Sequence, residues 1–496
     1  MVGDPVTLQV MVPDAVGAAQ YRYSFGDGSP QTDFEAGRTS MSHTYTRPGH
    51  YSIVITVKDE NGGLGGKSFI QTVHYPVLPR RASVSNDIVY DKSRNRIYNV
   101  NRDNDSITAV DPMTLKKVGE LAVYHDPEAL ALAPDNKLWV LHRDDYAIAV
   151  VDPDKMVVER GFRLPYASQP IGLAVSPTGD AAYVTLMAVG KLLKLNPTTG
   201  MVLAELDVGP RPRGVTVSQD GKDVYVTRFI SSDAGGEVVQ VDAASMKLVK
   251  RINLAPDTTT MDTDQKGRGL PNYLFSVGLS PDGKQAWVTG KKDNIFRGTL
   301  RDNQPLNQDD TVRPMIGVID LATGQENLTP LSDATLAGKV YMSGRIDLDD
   351  RNLPGHVEFS PMGDLAFVSV IGSNLVEVRD AYTGVLYTAM KEAGLAPRGL
   401  VLGPKNRLFV NGSLTRKLMV YDVAAILDSS DGISKPLGEG ISTVEKEKLL
   451  PEVLLGKQLF FNSADGRMTK EGYLSCASCH FDGDGDGRVW DFTSRG

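Results

Sequence analysis

The stretch Ser218-Gln219-Asp220-Gly221, joined by three residues to Tyr225-Val226-Thr227, decides the fold because variants of it recur along the chain. Each copy combines an apolar strand, a polar turn, a second strand carrying an aromatic residue before valine, and a third strand that closes on valine and aspartate. The turn recurs at Ser176–Gly179, Ser280–Gly283 and Ser360–Gly363, and the aromatic-valine pair recurs at Tyr183, Trp287, Phe367 and Phe409. Self-similarity of this kind indicates a repeat architecture.

The spacing of the copies identifies the architecture. The second position of the turn falls at residues 92, 134, 177, 219, 281, 361 and 404, so most copies lie 42 or 43 residues apart and two carry insertions. A four-stranded propeller blade takes about 40–45 residues. The sequence therefore predicts a mainly β protein with a seven-bladed β-propeller over residues 85–440, whose closure removes exposed sheet edges.

The repeated Tyr-Val-Thr core resembles that of the YVTN family of seven-bladed propellers, over residues 82–440. Members of that family are known from secreted and surface-layer proteins. The resemblance implies the fold and leaves the function open, because propellers carry many unrelated activities. The two insertions, about 229–272 and 291–355, are expected to cover one face or to meet a partner, with solvated loops as the alternative.

The first 75 residues have a different pattern. Residues 51–57 alternate as a half-buried strand does, and Phe25-Gly26-Asp27-Gly28-Ser29, His43-Thr44-Tyr45 and Pro48-Gly49 lie between strands. These motifs resemble the PKD domain, an immunoglobulin-like β-sandwich, which implies a spacer or adhesive module over residues 1–75. His43 and His50 are assigned structural rather than metal-binding roles. Residues 76–84 are predicted to form a stiff linker.

The two cysteines of the chain both lie in Cys476-Ala477-Ser478-Cys479-His480. This is the spacing of a c-type haem attachment site, in which both thiols form thioethers to the porphyrin and the histidine ligates the iron. A zinc site would lack a fourth ligand, and a disulfide across two residues would close a loop of small entropic benefit. The predicted cofactor is covalent haem on Cys476 and Cys479, with His480 as axial ligand.

The residues before this motif point to a family. Leu455-Gly456-Lys457-Gln458-Leu459-Phe460-Phe461, then Asp465-Gly466-Arg467, then Ser475 and the haem motif, resemble the opening of the di-haem cytochrome c peroxidase superfamily, which includes methylamine-utilisation peroxidase relatives. The resemblance implies that residues 441–496 begin a truncated α-helical cytochrome c segment. It also implies reduction of hydrogen peroxide, or its use to oxidise a protein partner, through two haems. The chain has no second haem motif and no identifiable distal ligand, so the activity is expected of a longer protein and not of this chain alone.

Two further candidate sites are weaker in pattern. Asp482, Asp484 and Asp486 alternate with glycines as at the start of a calcium loop, although Thr493 stands where such a loop places glutamate, and a flexible acidic turn is the alternative. In the propeller, Arg213, His356 and Arg398 are expected at the central channel. There they would bind an anion, a substrate carboxylate or a haem propionate, or would hold blades together by capping carbonyls.

Composition excludes several classes of protein. The net charge is −8, with acidic and basic residues interspersed, so no nucleic-acid partner is expected. No apolar stretch is long enough to span a bilayer. The sequence predicts a periplasmic or extracellular redox protein from which a leader was removed. It would take electrons from a redox partner protein or a small donor, while the propeller and the PKD-like module would bind a protein or a polysaccharide. A non-catalytic electron-transfer cytochrome and a propeller-based binding scaffold are the alternatives.

Overall fold

A computed structural model describes residues 1–12, 18–328, 331–332, 340–341, 345–429, 432–469 and 472–493. Strands dominate it from residue 5 to residue 442, and the helices of the last segment follow. The mainly β fold class predicted from the sequence is confirmed.

The N-terminal module is a sandwich of two sheets. In one sheet Pro5–Gln9 pairs with Ser40–Thr44, and the other has the strand order Glu35–Ala36, Gln20–Ser24, Gly49–Lys58, Leu64–Val73. The predicted alternation is confirmed, since Tyr51, Ile53 and Ile55 are buried between the sheets. His43 stacks on Phe25 at 4.1 Å and hydrogen-bonds Asp27 at 2.7 Å, so its contacts are structural.

Seven sheets follow in the described part of the chain, numbered here as blades 1 to 7: five have four strands, blade 4 has four strands plus the added strand Ser83–Val84, and blade 5 has six. Blade 1 comprises Ile88–Asp91, Arg96–Asn101, Ser106–Asp111 and Lys116–Ala122, and blade 2 comprises Pro127–Leu132, Leu138–His142, Ala147–Asp152 and Val157–Arg163. Blade 3 comprises Pro170–Val175, Ala182–Leu186, Lys191–Leu195 and Val202–Asp207. Blade 4 comprises Pro212–Val217, Asp223–Arg228, Gly236–Asp242 and Lys247–Leu254. Blade 5 comprises Leu270–Asn272, Val277–Leu279, Gln285–Asp293, Val312–Asp320, Gln325–Glu326 and Arg345–Asp347. Blades 6 and 7 comprise Pro354–Phe359, Leu365–Val370, Leu375–Asp380 and Leu386–Met390; and Pro397–Gly403, Arg407–Gly412, Lys417–Asp422 and Ile441–Ser442.

Hydrophobic clusters between neighbouring blades close the ring. The aromatic residue of each second strand lies in such a cluster, as Trp139 does between blades 2 and 3 and Phe367 between blades 6 and 7. The last contact joins blade 7 to blade 1, where Phe409 and Leu418 pack against Ile88 and Ile97. Blades therefore adhere through side chains buried between sheets, and the innermost strands surround a central channel.

The segment after the N-terminal sandwich runs into this channel. Ser83–Val84 pairs with the innermost strand of blade 4, and the Oγ atom of Ser85 accepts a hydrogen bond from the Leu173 amide. The Asn86 side chain donates to the Leu400 carbonyl at 2.8 Å. Residues 76–84, predicted as a linker, are thus attached to the propeller.

The last segment is helical and lies on the propeller. Helix α1, Pro451–Phe461, has proline in its first turn, and helix α2 is Ala477–His480. The sequence Ser442-Thr443-Val444-Glu445 has the form of a capping box and predicts the start of a helix, but this prediction is wrong, because Ser442 belongs to the outer strand of blade 7. Short helical turns are Arg102–Asn104, Gln308–Thr311, Pro404–Asn406 and Ala424–Leu427, and Leu331–Ser332 pairs with Val340–Tyr341. No helix of the described residues has the length and apolarity required to cross a membrane.

Candidate functional site

The predicted haem residues share one helical turn. Cys476 precedes α2, and Cys479 and His480 end it. The two intervening residues, Ala477 and Ser478, are completely buried, whereas Cys476 and His480 are exposed and Cys479 is half-buried. Both thiols are free. The turn therefore faces the propeller with its intervening residues and presents Cys476 and His480 outward, with Cys479 at the edge of the buried contact.

Polar contacts fix this turn to loops of the propeller. Asn352 donates to the Ser475 hydroxyl and accepts from the Ser478 hydroxyl, both at 2.9 Å. The Tyr273 hydroxyl donates to the Cys479 carbonyl at 2.7 Å. These three hydrogen bonds pair the buried side chains of Asn352, Ser478 and Tyr273, as a stable buried interface requires.

An aromatic cluster lies under the residue that follows the haem motif. Phe481 packs edge-on against Phe275 at 4.4 Å, Phe461 at 5.3 Å and Phe229 at 6.0 Å. Phe461 ends α1, while Phe229 and Phe275 come from propeller loops. The cluster joins both helices of the last segment to the mouth of the channel.

The next residue forms a buried ion pair in that mouth. Asp482 accepts from Arg213 at 2.6 Å and lies 3.6 Å from Arg143, and the side chains of Asp482 and Arg213 are only 5% and 7% exposed. Burial alone would raise the pKa of Asp482, but the guanidinium groups of Arg213, Arg102 and Arg143 hold it well below its usual range. The carboxylate is therefore charged and compensated.

A second charged group adjoins the half-buried thiol. Lys291 contacts Asp293 at 2.8 Å and Asp486 at 3.0 Å, and all three are buried. Burial raises the pKa of Cys479 to about 12, and the neighbouring Asp486 and Asp293 act in the same direction while Lys291 opposes them. A thiolate is disfavoured here, whereas an uncharged sulfur is tolerated.

The three aspartates of the predicted calcium loop have different partners. Asp482 pairs with Arg213, Asp484 with Arg211 at 2.9 Å, and Asp486 with Lys291. Within the described ranges, no three His, Cys, Asp or Glu side chains come together to hold a metal ion. Each aspartate thus pairs with a cation of the propeller, and calcium binding at this acidic turn stays a prediction.

The predicted channel residues are separated by depth. Arg213 and Arg398 lie at the mouth under Phe481, at 5.1 and 5.5 Å from its ring. His356 lies deeper, where its ring meets the Asn86 amide at 3.3 Å. Arg398 lines a cavity of about 840 Å³ between the mouth and α1, and its closest carboxylate, that of Glu128, is 4.0 Å away. The carboxylate that Arg213 binds belongs to the chain itself.

Sequence reasoning missed Asn352 and Lys291. Asn352 lies in an inserted segment, and Lys291 begins that segment. Tyr473 also contacts these loops, through the Asp264 carbonyl and the Asp349 carboxylate, both at 2.8 Å. The sequence signal that could have located these residues is the extra length of the two insertions, because the inserted loops contact the C-terminal segment.

Comparisons with known proteins agree with the architecture. Residues 1–72 match the model of the PKD domain. The chain is similar to a structure of hydrazine synthase from Kuenenia stuttgartiensis, with 20% identity, a TM-score of 0.56, and coverage of 72% of this chain and 99% of that one. It is also similar to the β-propeller domain of Swd1 from Myceliophteria thermophila (11% identity, TM-score 0.45, 67% and 96% covered). A third is a catalytically inactive virginiamycin B lyase from Staphylococcus aureus (12% identity, TM-score 0.45, 68% and 94% covered). These similarities concern the fold alone. A search of curated proteins found no match.

Proposed function

We propose that this protein is an extracytoplasmic c-type haem redox protein whose propeller carries the haem-binding segment on one face. The observation that supports this most directly is the turn at 476–480, where two free thiols and an exposed imidazole project from a helix whose other face is buried. A PKD module and a propeller form the scaffold.

The residues present fit a covalent haem. Cys476 and Cys479 would hold the porphyrin through thioethers, and His480, which makes no side-chain hydrogen bond with the described residues, would ligate the iron. Thioethers carry no charge, so the raised pKa of Cys479 and its half-buried position suit an attached sulfur better than a reactive thiolate. When bound, the haem supplies one-electron chemistry, and the chain binds and orients it.

The finer proposal is a di-haem cytochrome c peroxidase-like oxidoreductase, supported by the resemblance of residues 455–480 to that superfamily. In this proposal a redox partner protein or a small donor supplies electrons in the periplasm or at the cell surface. The PKD and propeller modules dock a protein or polysaccharide. A purely electron-transferring cytochrome remains the alternative, since no distal ligand is identified.

Expression with a secretion leader in a host competent in cytochrome c maturation tests the proposal. We expect a Soret band and haem staining that survives denaturing electrophoresis. The variant C476A/C479A, which leaves no thiol in the chain, should lose the stain. His480→Gln should keep the stain and change the absorption spectrum, because it alters ligation and not attachment. Met468→Leu, an exposed residue before the motif, is the matched control and should change neither.

A wild-type product without haem stain from that host would contradict the proposal. Peroxide-dependent oxidation of a donor, with a high-spin ferric spectrum, would favour the peroxidase. A six-coordinate spectrum without such turnover would favour the electron carrier.

A further inference from the structure

Two ion pairs connect the same two segments of the chain. Arg211 and Arg213 begin blade 4, and Asp484 and Asp482 follow the haem motif. The Arg211–Asp484 pair has side chains 40% and 60% exposed, whereas those of the Arg213–Asp482 pair are 7% and 5% exposed. Exposed pairs contribute little to stability, but loss of one partner of a buried pair is strongly destabilising. The two pairs should therefore differ in their hold on the haem-binding segment.

Aromatic rings enclose the buried pair. The Arg213 guanidinium lies 4.4 Å from the ring of Phe229, 4.6 Å from Phe275 and 5.1 Å from Phe481. Cation–π contacts with desolvated rings strengthen the hold on a guanidinium. The planar fork of Arg213 is thus held in place, with one amino group directed at Asp482.

We infer that the mouth of the propeller channel clamps the haem motif, and that Arg213, acting through Asp482, is a positioning residue for His480. Asp482 lies two residues after His480, so its ion pair with Arg213 fixes the backbone that directly follows the haem-ligating residue. Tyr273 and Asn352 hold the preceding turn. The ligand-bearing residue is therefore restrained on both sides by the propeller.

This inference deepens the proposed function, because a haem is what the clamp would position. The restraint itself exists without haem and can be measured in the haem-free chain of residues 1–496. Cys476 is exposed and Cys479 is half-buried, so the ratio of their alkylation rates by iodoacetamide reports how firmly the turn is docked. Peptide mass spectrometry resolves the two sites, and Cys476 serves as the internal reference.

Asp482→Asn is expected to raise the Cys479 to Cys476 rate ratio by about tenfold, since it leaves the buried Arg213 without its carboxylate partner. Arg213→Gln should raise the ratio by a smaller factor that still exceeds about twofold, because Arg143, 3.6 Å from Asp482, still compensates that carboxylate. Arg211→Gln and Asp484→Asn are the matched controls and should stay within about twofold of wild type. Arg213→Lys keeps the charge without the planar fork and should fall between these limits. Asp482→Asn changes only the C-terminal segment, so it decides the outcome if Arg213→Gln does not fold.

The haem-loaded protein provides an independent readout. Both Asp482→Asn and Asp484→Asn should retain covalent haem. Asp482→Asn should shift the reduction potential of the haem, whereas Asp484→Asn should leave it unchanged. An unchanged alkylation ratio in Asp482→Asn, or equal effects of the buried and exposed pairs, would overturn the clamp. Failure of the wild type to acquire haem would overturn the proposed function and leave the alkylation result to decide the clamp.

Discussion

His50 connects the PKD module to the propeller through two carboxylates. Its Nε2 atom lies 3.0 Å from Asp364 and its Nδ1 atom 3.0 Å from Asp380, both in blade 6. Burial alone would lower the pKa of His50, but the hydrogen bonds to Asp364 and Asp380 raise it to about 9. The imidazolium is thus the favoured form in the folded protein, and no metal is needed to explain this histidine.

The contact should make stability depend on pH. The pKa of His50 is higher in the folded state than the value of about 6.5 in an unfolded chain. Its contribution is therefore complete below about pH 6.5 and is lost as the pH rises through about 9, with an upper bound of about 3 kcal/mol. We expect the free energy of unfolding, measured by urea titration, to decline over this window.

His50→Gln should remove that decline, because glutamine cannot carry the charge. His125→Gln, at an exposed histidine of the opposite face, should retain it. If the free energy of unfolding changed equally with pH in the wild type and in His50→Gln between about pH 6.5 and 9, the contact of His50 with Asp364 and Asp380 would contribute nothing to stability.

Sequence reasoning placed the arginines of the channel better than it explained them. Pro212-Arg213-Gly214 and Pro397-Arg398-Gly399 share one pattern, from which the sequence predicts both arginines at the central channel, and the structure has them at its mouth. Their partner was not predictable from the repeat, because Asp482 lies 269 residues further along the chain. The same limit applies to the acidic run at residues 482–486, where local spacing alone left both a calcium loop and an acidic turn open, because it carries no information about the distant cations Arg211, Arg213 and Lys291.

The innermost strands approach one another closely at glycines. A Cβ atom on Gly172 of blade 3 would lie 2.4 Å from the Arg213 carbonyl oxygen of blade 4. The restriction is steric, since the opposing atom belongs to the backbone and has no rotamer to change. Glycine here allows neighbouring blades to pack around the channel.

Gly172→Ala should therefore lower the free energy of unfolding by about 1–3 kcal/mol, the usual cost of overpacking a tight interior. Gly119→Ala, in the outer strand of blade 1 with no atom within 4 Å of the added carbon, is the control and should be nearly neutral. Thermal or urea unfolding of the two variants measures the difference. A similar loss in both would attribute the effect to strand flexibility and not to contact between blades.

Repetition explains why the strands were predictable and the helices less so. Each second strand carries the same aromatic-valine signature, and burial between blades enforces it in copy after copy. Residues 441–445 lack that redundancy. A serine followed three residues later by glutamate has the form of a capping box, but pairing with Lys417–Asp422 draws Ser442 into a strand.

Segments of the chain itself fill the propeller channel at both of its openings. Residues 83–87 enter among the innermost strands, and Phe481 with Asp482 covers the opposite mouth. The sequence predicted the ring but not its contents, because a repeat pattern specifies contacts between copies and not the path of the segments outside it. This occupancy favours a propeller that binds the segments flanking it in the chain, with the cavity beside Arg398 as the space left at the mouth.

Occupancy by residues 83–87 predicts where a stable propeller begins. The Ser85 amide donates to the Val215 carbonyl at 2.9 Å, the Leu130 amide donates to the Asn86 carbonyl at 2.9 Å, and the Asn411 side chain donates to Asp87 at 3.0 Å. Removing this segment would leave those groups of blades 2, 4 and 7 unpaired inside the channel. Unpaired buried groups cost about 1–3 kcal/mol each.

A chain that starts at Pro76 should therefore fold stably without the PKD module, whereas one that starts at Ile88 should lose at least about 3 kcal/mol of unfolding free energy. Both variants lack the PKD module, so the comparison isolates residues 76–87. Urea titration followed by tryptophan fluorescence suits the measurement, because Trp139 and Trp287 are buried between blades. If the two variants unfolded at the same urea concentration, the segment in the channel would be a passive connection, and closure of the ring would depend on contacts between blades alone.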